Sequence, residues 1–75
     1  MKRYPIHFHS TEDIANFVRI VNQYDFDVDL KDGSATMDAK SFLGILSMNL
    51  TAGLEIVIHG TECEEMLRRI HAYLK

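Results

Sequence analysis

The chain has 75 residues, of which 47% are hydrophobic and 25% are charged, and its formal net charge at pH 7 is −3. This length has room for a single domain, expected over residues 1–75, and the aliphatic content excludes a disordered protein. Eight Lys and Arg residues are scattered among eleven Asp and Glu residues, so we expect no direct contact with nucleic acid.

The single cysteine excludes an internal disulfide, and no apolar run approaches the length of a signal-peptide core or a membrane span. We therefore expect a cytoplasmic protein that does not contact a membrane. A chain of this size has no second domain to hold a cofactor, and no cofactor is expected.

The first predicted elements are a strand and an amphipathic helix. Residues 3–8 alternate between apolar and polar side chains, and Pro5 favours the edge of a sheet because proline has no N–H to donate. Residues 10–13 match the capping-box pattern, so Ser10 is expected to cap a helix that runs to about Tyr24.

Two further strands follow as a hairpin. Residues 25–30 and residues 34–39 alternate on either side of Asp32-Gly33, which predicts an antiparallel pair joined by that two-residue turn. The first of these strands has an acidic face, which we expect to be solvated.

The rest of the chain predicts two helices around a fourth strand. A short apolar helix over residues 41–48 begins at Ser41, and a strand over residues 54–58 follows it. A second capping box at residues 61–64 predicts a third helix, with Cys63 in its first turn as a buried core residue. The order β-α-β-β-α-β-α therefore predicts an α+β two-layer open-faced sandwich, with a four-stranded antiparallel sheet covered on one face by three helices.

The sequence AKSFLGILSM at residues 39–48, with the strand at residues 54–58, resembles the regulatory-serine region of HPr. HPr is the small phosphocarrier protein of the bacterial sugar phosphotransferase system. A weaker likeness covers residues 14–74. The resemblance implies the sheet order 1-4-2-3, with the first strand at an edge.

In this family a histidine followed by threonine, arginine and proline begins the first helix and accepts the phosphoryl group. When residues 15–18 anchor the comparison, the corresponding positions are Ser10, Thr11, Glu12 and Asp13. Two carboxylates would oppose a phosphohistidine, and the preceding loop is shorter by several residues. The resemblance therefore implies that the phosphocarrier site, and with it any catalytic residue, has been lost.

Two nearby histidines leave other interpretations open. His9 precedes Ser10 and could replace the missing acceptor, or it could be a solvent-facing residue at the end of a strand. His7 and His9 share one strand face, but the spacing provides no thiolate or carboxylate partner, so no metal site is expected.

The second helix has more apolar residues than one face can bury. At about 100° per residue, Phe42, Leu43 and Leu46 cluster on one side, while Ile45 and Met48 lie on the other. In the family the matching pair packs inward and the matching cluster is exposed as a docking surface. The alternative is that the first and third helices cover the cluster.

By this resemblance, the chain is expected to be a regulatory protein-binding module and not an enzyme. Ser41 would be phosphorylated by a serine kinase of the HPr kinase type, Lys40 would support the phosphate, and a transcription regulator would be the partner. This is the mode of a family branch that acts in catabolite repression without the acceptor histidine. Two alternatives are a phosphocarrier that uses His9 and an interaction module unrelated to sugar transport.

Overall fold

The computed structural model describes residues 1–75 and contains the predicted elements in the predicted order. They are β1 (Lys2–Pro5), α1 (Thr11–Val21), β2 (Val28–Asp32), β3 (Ala35–Asp38), α2 (Phe42–Leu46), β4 (Glu55–Ile58) and α3 (Glu64–Arg69), followed by a 3-10 helix (His71–Tyr73). The strands form one antiparallel sheet in the order β1-β4-β2-β3, which confirms the predicted open-faced sandwich. None of these helices has the length and apolar character that crossing a lipid bilayer requires.

The core lies between one face of the sheet and the three helices. Fifteen buried residues form a single cluster, because alternate side chains of β2 and β4 point towards the apolar stripes of the helices. Phe17 of α1 is the largest fully buried side chain, and Ile45 is the buried residue of α2. The open face of the sheet is polar, with Arg3 facing Glu55 at 3.9 Å and Asp29 bonded to His59 at 3.0 Å.

The hairpin turn lies one residue later than predicted. Asp32 pairs with Ala35, so the turn residues are Gly33 and Ser34, and Asp32 belongs to β2. Gly33 has φ +65° and is the only residue with positive φ, which suits the first turn position of a tight hairpin. β2 also begins at Val28, so only the last part of the predicted strand over residues 25–30 lies in the sheet.

The third helix begins later than the second capping box predicts. Cys63 lies at the N-cap of α3, with no side-chain capping bond, and is fully buried in the core. The prediction of a capping box at residues 61–64 and of Cys63 in the first turn is therefore wrong, although its burial is as expected. The helix ends at Arg69, and Leu74 instead forms an isolated bridge with Ile6 beyond the end of β1.

The first two helices end earlier than predicted because their last turns tighten. The N–H groups of Gln23, Tyr24 and Met48 donate to carbonyls three residues earlier, at Ile20, Val21 and Ile45 respectively. Such i→i−3 bonds are common where a helix terminates.

We expect the Asp32 carboxylate to make the stability of the fold sensitive to acid. Its carboxylate accepts hydrogen bonds from the hydroxyl and the backbone N–H of Thr51, both at 2.6 Å. These bonds, the hydroxyl bond first, hold the pKa of Asp32 below its usual value. Because the folded pKa is lower than the unfolded one, the stabilisation is present above the unfolded pKa and is lost as the pH falls through the folded pKa. NMR titration should therefore find a depressed pKa for Asp32.

The matched variants for this prediction are Asp32→Asn and Asp25→Asn. The first should reduce the loss of stability in acid, measured by denaturant unfolding across the acidic range. The exposed Asp25 makes no side-chain hydrogen bond, so its variant should keep the acid sensitivity of the parent chain. An ordinary pKa for Asp32 would contradict the prediction.

Candidate docking site on the second helix

Ser41 lies at the N-cap of α2, as predicted. Its backbone is extended, with φ −102° and ψ 97°, and its Oγ accepts a hydrogen bond of 3.3 Å from the N–H of Gly44. The Ser41 carbonyl accepts the N–H of Ile45 at 3.0 Å, and the Ser41 N–H donates to Asp38 at 3.1 Å. The backbone on both sides of this half-buried serine is therefore held in place.

Gly44 allows the close packing around the cap. A Cβ at this position would lie 2.6 Å from Sδ of Met37 and 2.9 Å from Oγ of Ser41. A side chain there would displace the methionine or the capping serine. The glycine therefore lets α2 approach β3 while the serine oxygen stays bonded to the first turn.

The apolar residues of α2 divide unevenly between core and solvent. Leu43 is 78% exposed and Leu46 is 43% exposed, whereas Ile45 is fully buried. Phe42 and Met48 are half-buried, and Phe42 packs against the core cluster. Phe42, Leu43 and Leu46 are called the α2 patch below. Its two leucines are available to a partner, and binding by the patch stays a prediction.

Lys40 makes contacts that the sequence did not suggest. Its ammonium donates to the backbone carbonyl of Tyr24 at 2.6 Å, at the end of α1. Its N–H donates to Oδ1 of Asp38 at 2.9 Å, and its carbonyl accepts the side-chain amide of Asn22 at 3.2 Å. In the unmodified chain the Lys40 ammonium is bonded to Tyr24, and its support of a phosphate on Ser41 stays a prediction. Asn22 and Tyr24 lie 18 and 16 residues before Lys40 in the sequence, so no local pattern identifies them as its partners.

The beginning of α1 is held by its own side chains. Ser10 has extended backbone, with φ −159° and ψ 166°, and its Oγ accepts the N–H of Asp13 at 3.1 Å. The Asp13 carboxylate in turn accepts the N–H of His9 at 2.9 Å, and Glu12 is exposed. The capping role of Ser10 follows the prediction, and the surface at this helix end is acidic.

The two histidines before α1 pack against each other. The ring centroids of His7 and His9 are 4.6 Å apart, with an angle of 82° between the ring planes, and both side chains are exposed. No group of three or more histidine, cysteine or acidic side chains in the chain has a geometry that could hold a metal ion.

Comparisons with known proteins place the chain in a family. The family model described as "PTS HPr component phosphorylation site" matches residues 10–75. The phosphocarrier protein HPr from Bacillus anthracis str. Ames is 28% identical, with a TM-score of 0.73 over 99% of this chain and 94% of that one. None of the curated proteins matches the sequence significantly.

Two further solved structures share the fold. The Bacillus subtilis catabolite repression protein Crh, described as an intertwined dimer with a swapped domain, is 25% identical. Its TM-score is 0.68 over 97% of this chain and 85% of that one. HPr from Thermoanaerobacter tengcongensis has a TM-score of 0.72 over 96% and 89% of the two chains, and its 20% identity supports the fold alone. Since the family model covers most of the chain, from Ser10 to the last residue, the chain belongs to the PTS-HPr family.

Proposed function

We propose that this HPr-type protein is a regulatory protein-binding module that has lost the histidine phosphocarrier site and is phosphorylated on Ser41. The observation that carries the proposal is the position of Ser41, which caps α2 directly beside the exposed Leu43. A phosphate there would add a charged contact at the border of a ready-made apolar patch, and mixed surfaces of this kind suit protein partners.

The proposed loss of phosphocarrier chemistry is supported by the residues at the beginning of α1. Ser10 takes the position of the acceptor histidine, and its oxygen is occupied as a helix cap. Glu12 takes the position of the cation that would stabilise a phosphohistidine, and the nearby Asp13 carboxylate is bonded to His9 N–H. Negative charge at these positions opposes a second anion.

The proposed partners follow from the same surface. A serine kinase of the HPr kinase type would transfer the γ-phosphoryl group of ATP to Oγ of Ser41, with release of ADP and of the hydroxyl proton. The phosphorylated chain would then bind a transcription regulator through Leu43 and Leu46. The similarity to Crh, a protein named for catabolite repression, supports this choice of partner.

We expect no phosphate on histidine when the protein is incubated with phosphoenolpyruvate and the upstream phosphotransferase of the system. Neither Ser10 nor the acidic surface around it can replace an imidazole nucleophile and its cation. The measurement is the yield of acid-labile, base-stable phosphate, with Bacillus anthracis HPr as the positive control. Acid-labile phosphate that disappears in His9→Ala would establish the alternative phosphocarrier function.

Incubation with ATP and HPr kinase tests the proposed modification directly. Phosphate should appear in the parent chain and in Ser47→Ala, but not in Ser41→Ala. Ser47 is a matched control because it is the exposed serine at the other end of α2. If the parent chain stays unmodified, the regulatory proposal is wrong, and an interaction module unrelated to sugar transport becomes the better account.

Phosphorylation of Ser41 should leave the fold intact and stabilise it slightly. A phosphate adds close to two negative charges at the positive end of α2, which favours the helix by about 0.3–2 kcal/mol depending on salt and exposure. Thermal unfolding of the modified and unmodified chains measures the difference. Ser41→Asp should reproduce it poorly, because a carboxylate has one charge and a shorter reach. Loss of the α2 NMR signals on phosphorylation would contradict the prediction.

A further inference from the structure

We propose that Lys40 is a conformational switch that connects Ser41 to the end of α1. In the unmodified chain its ammonium holds the carbonyl of Tyr24, and a phosphate on Ser41 draws the ammonium away and releases that carbonyl. This inference rests on the proposed phosphorylation of Ser41. It adds a second location, away from the α2 patch, at which the phosphorylated and unmodified forms differ.

The unmodified position of Lys40 is defined at three points. The bond from its Nζ to the Tyr24 carbonyl is short, at 2.6 Å, and the side chain is half-buried. Its backbone is fixed by Asp38 on one side and by the amide of Asn22 on the other, at 2.9 and 3.2 Å. The backbone can therefore stay in place while only the side chain moves.

Lys40 is the cation best placed to pair with a phosphate on Ser41. Between Arg19 and Arg68 the chain has only one other lysine or arginine, Lys31. Lys31 lies in β2 with its neighbour Glu55 on β4, on the open face of the sheet. Lys40 is adjacent to Ser41 in sequence, and α2 packs on the opposite, core face through Ile45.

The exchange of partners is favoured by charge. The present acceptor is a neutral carbonyl, whereas a phosphoserine is a dianion with three strong acceptor oxygens. The bond to the carbonyl already has an ionised donor, and a phosphate acceptor adds the attraction between two opposite charges to it. Tyr24 is only half-buried, so water can satisfy the carbonyl that Lys40 leaves.

Release of the Tyr24 carbonyl would affect the contact between the segment after α1 and α3. The hydroxyl of Tyr24 donates to Oε1 of Glu65 at 2.7 Å and accepts from Arg69 at 3.1 Å. The Arg69 guanidinium also donates to the side chain of Gln23 at 2.9 Å and lies 5.9 Å from the centre of the Tyr24 ring. Lys40 therefore holds one of the two residues, Tyr24 and Gln23, whose side chains bond the segment after α1 to α3.

The test is an NMR comparison of the full chain with phosphoserine incorporated at position 41 during synthesis, so that no kinase is needed. The reporter is the carbonyl carbon of Tyr24, and Lys40→Met provides the signal of the released state. Phosphorylation should move the Tyr24 carbonyl resonance of the parent chain towards its position in Lys40→Met. In Lys40→Met itself, phosphorylation should cause no further shift at Tyr24, while the amide of Leu43 should shift in both chains.

Lys75→Met is the matched control, because Lys75 also donates its ammonium to a backbone carbonyl, that of Ala52 at 2.8 Å. It should keep the phosphate response at Tyr24. A second measurement needs no lysine variant: in the phosphorylated parent chain, the Tyr24 resonance should follow the second phosphate ionisation, near pH 6.

A Tyr24 resonance that stays unchanged on phosphorylation, while Leu43 responds, overturns the switch and leaves phosphorylation of Ser41 untouched. Failure of HPr kinase to modify Ser41 overturns the proposed function and leaves the response of Tyr24 to an incorporated phosphate measurable.

Discussion

Ile45→Ala is expected to lower the free energy of unfolding by about 2–5 kcal/mol, whereas Leu46→Gln should change it by less than about 1 kcal/mol. Ile45 is fully buried, so truncation removes apolar contacts and leaves a cavity beneath α2. Leu46 is 43% exposed and one position away, so the same helix provides the control. Denaturant unfolding at one pH and salt concentration measures both variants.

The same pair of variants separates stability from binding. Leu43→Gln, at 78% exposure, should behave like Leu46→Gln in unfolding, because surface changes away from special features have small effects. Both leucine variants should weaken the binding of a partner to the α2 patch. Equally large losses of stability at Ile45 and Leu46 would mean that the patch belongs to the core, and the docking proposal would then fail.

Gly60→Ala is expected to cost about 1–3 kcal/mol, the usual range for overpacking. A Cβ at this position would lie 2.6 Å from Cγ, 2.8 Å from Cδ2 and 3.0 Å from Cβ of Phe26. Rotation of the Phe26 ring about χ2 leaves Cγ and Cβ where they are, so it cannot relieve the clash. Denaturant unfolding of the variant should show a lower midpoint with an unchanged slope.

Two further variants test the cause. Phe26→Leu should recover part of the loss when combined with Gly60→Ala, since the two positions share one contact. Gly53→Ala is the matched control, because its new Cβ would approach no atom closer than 3.6 Å. If Gly60→Ala and Gly53→Ala have the same stability, the close approach of Phe26 does not limit position 60.

The periodicity of the sequence was sufficient to predict the existence and order of the elements. Alternation identified the strands, and Ser10 and Ser41 marked the beginnings of two helices correctly. The turn was misplaced because Asp32-Gly33 is a strong local signal, whereas the pairing of Asp32 with Ala35 decides the register. The hydrogen bonds between the strands, and not the local turn preference, therefore determine the position of the turn.

Long-range contacts explain the other differences. Thr61 resembles a helix cap, but the helix begins only at Glu64, after the buried Cys63. The helical period of α2 explains why Ile45 is buried while Leu43 and Leu46 are exposed. The half-buried state of Phe42 depends instead on tertiary packing. The bond between Lys40 and the end of α1 joins residues 16 apart in sequence, and no pattern in either segment predicts it.

The two ends of the chain are bonded to each other, and this affects when the protein can fold. Ile6 forms a bridge with Leu74, the N–H of His7 donates to Tyr73 at 2.8 Å, and the N–H of Lys75 donates to Pro5 at 3.0 Å. Contacts so far apart in sequence close a long loop, and their entropic cost slows folding. During synthesis on the ribosome, residues 5–7 cannot form these contacts until residues 73–75 have been made. The hairpin of β2 and β3 joins neighbouring segments of the chain and needs no such delay.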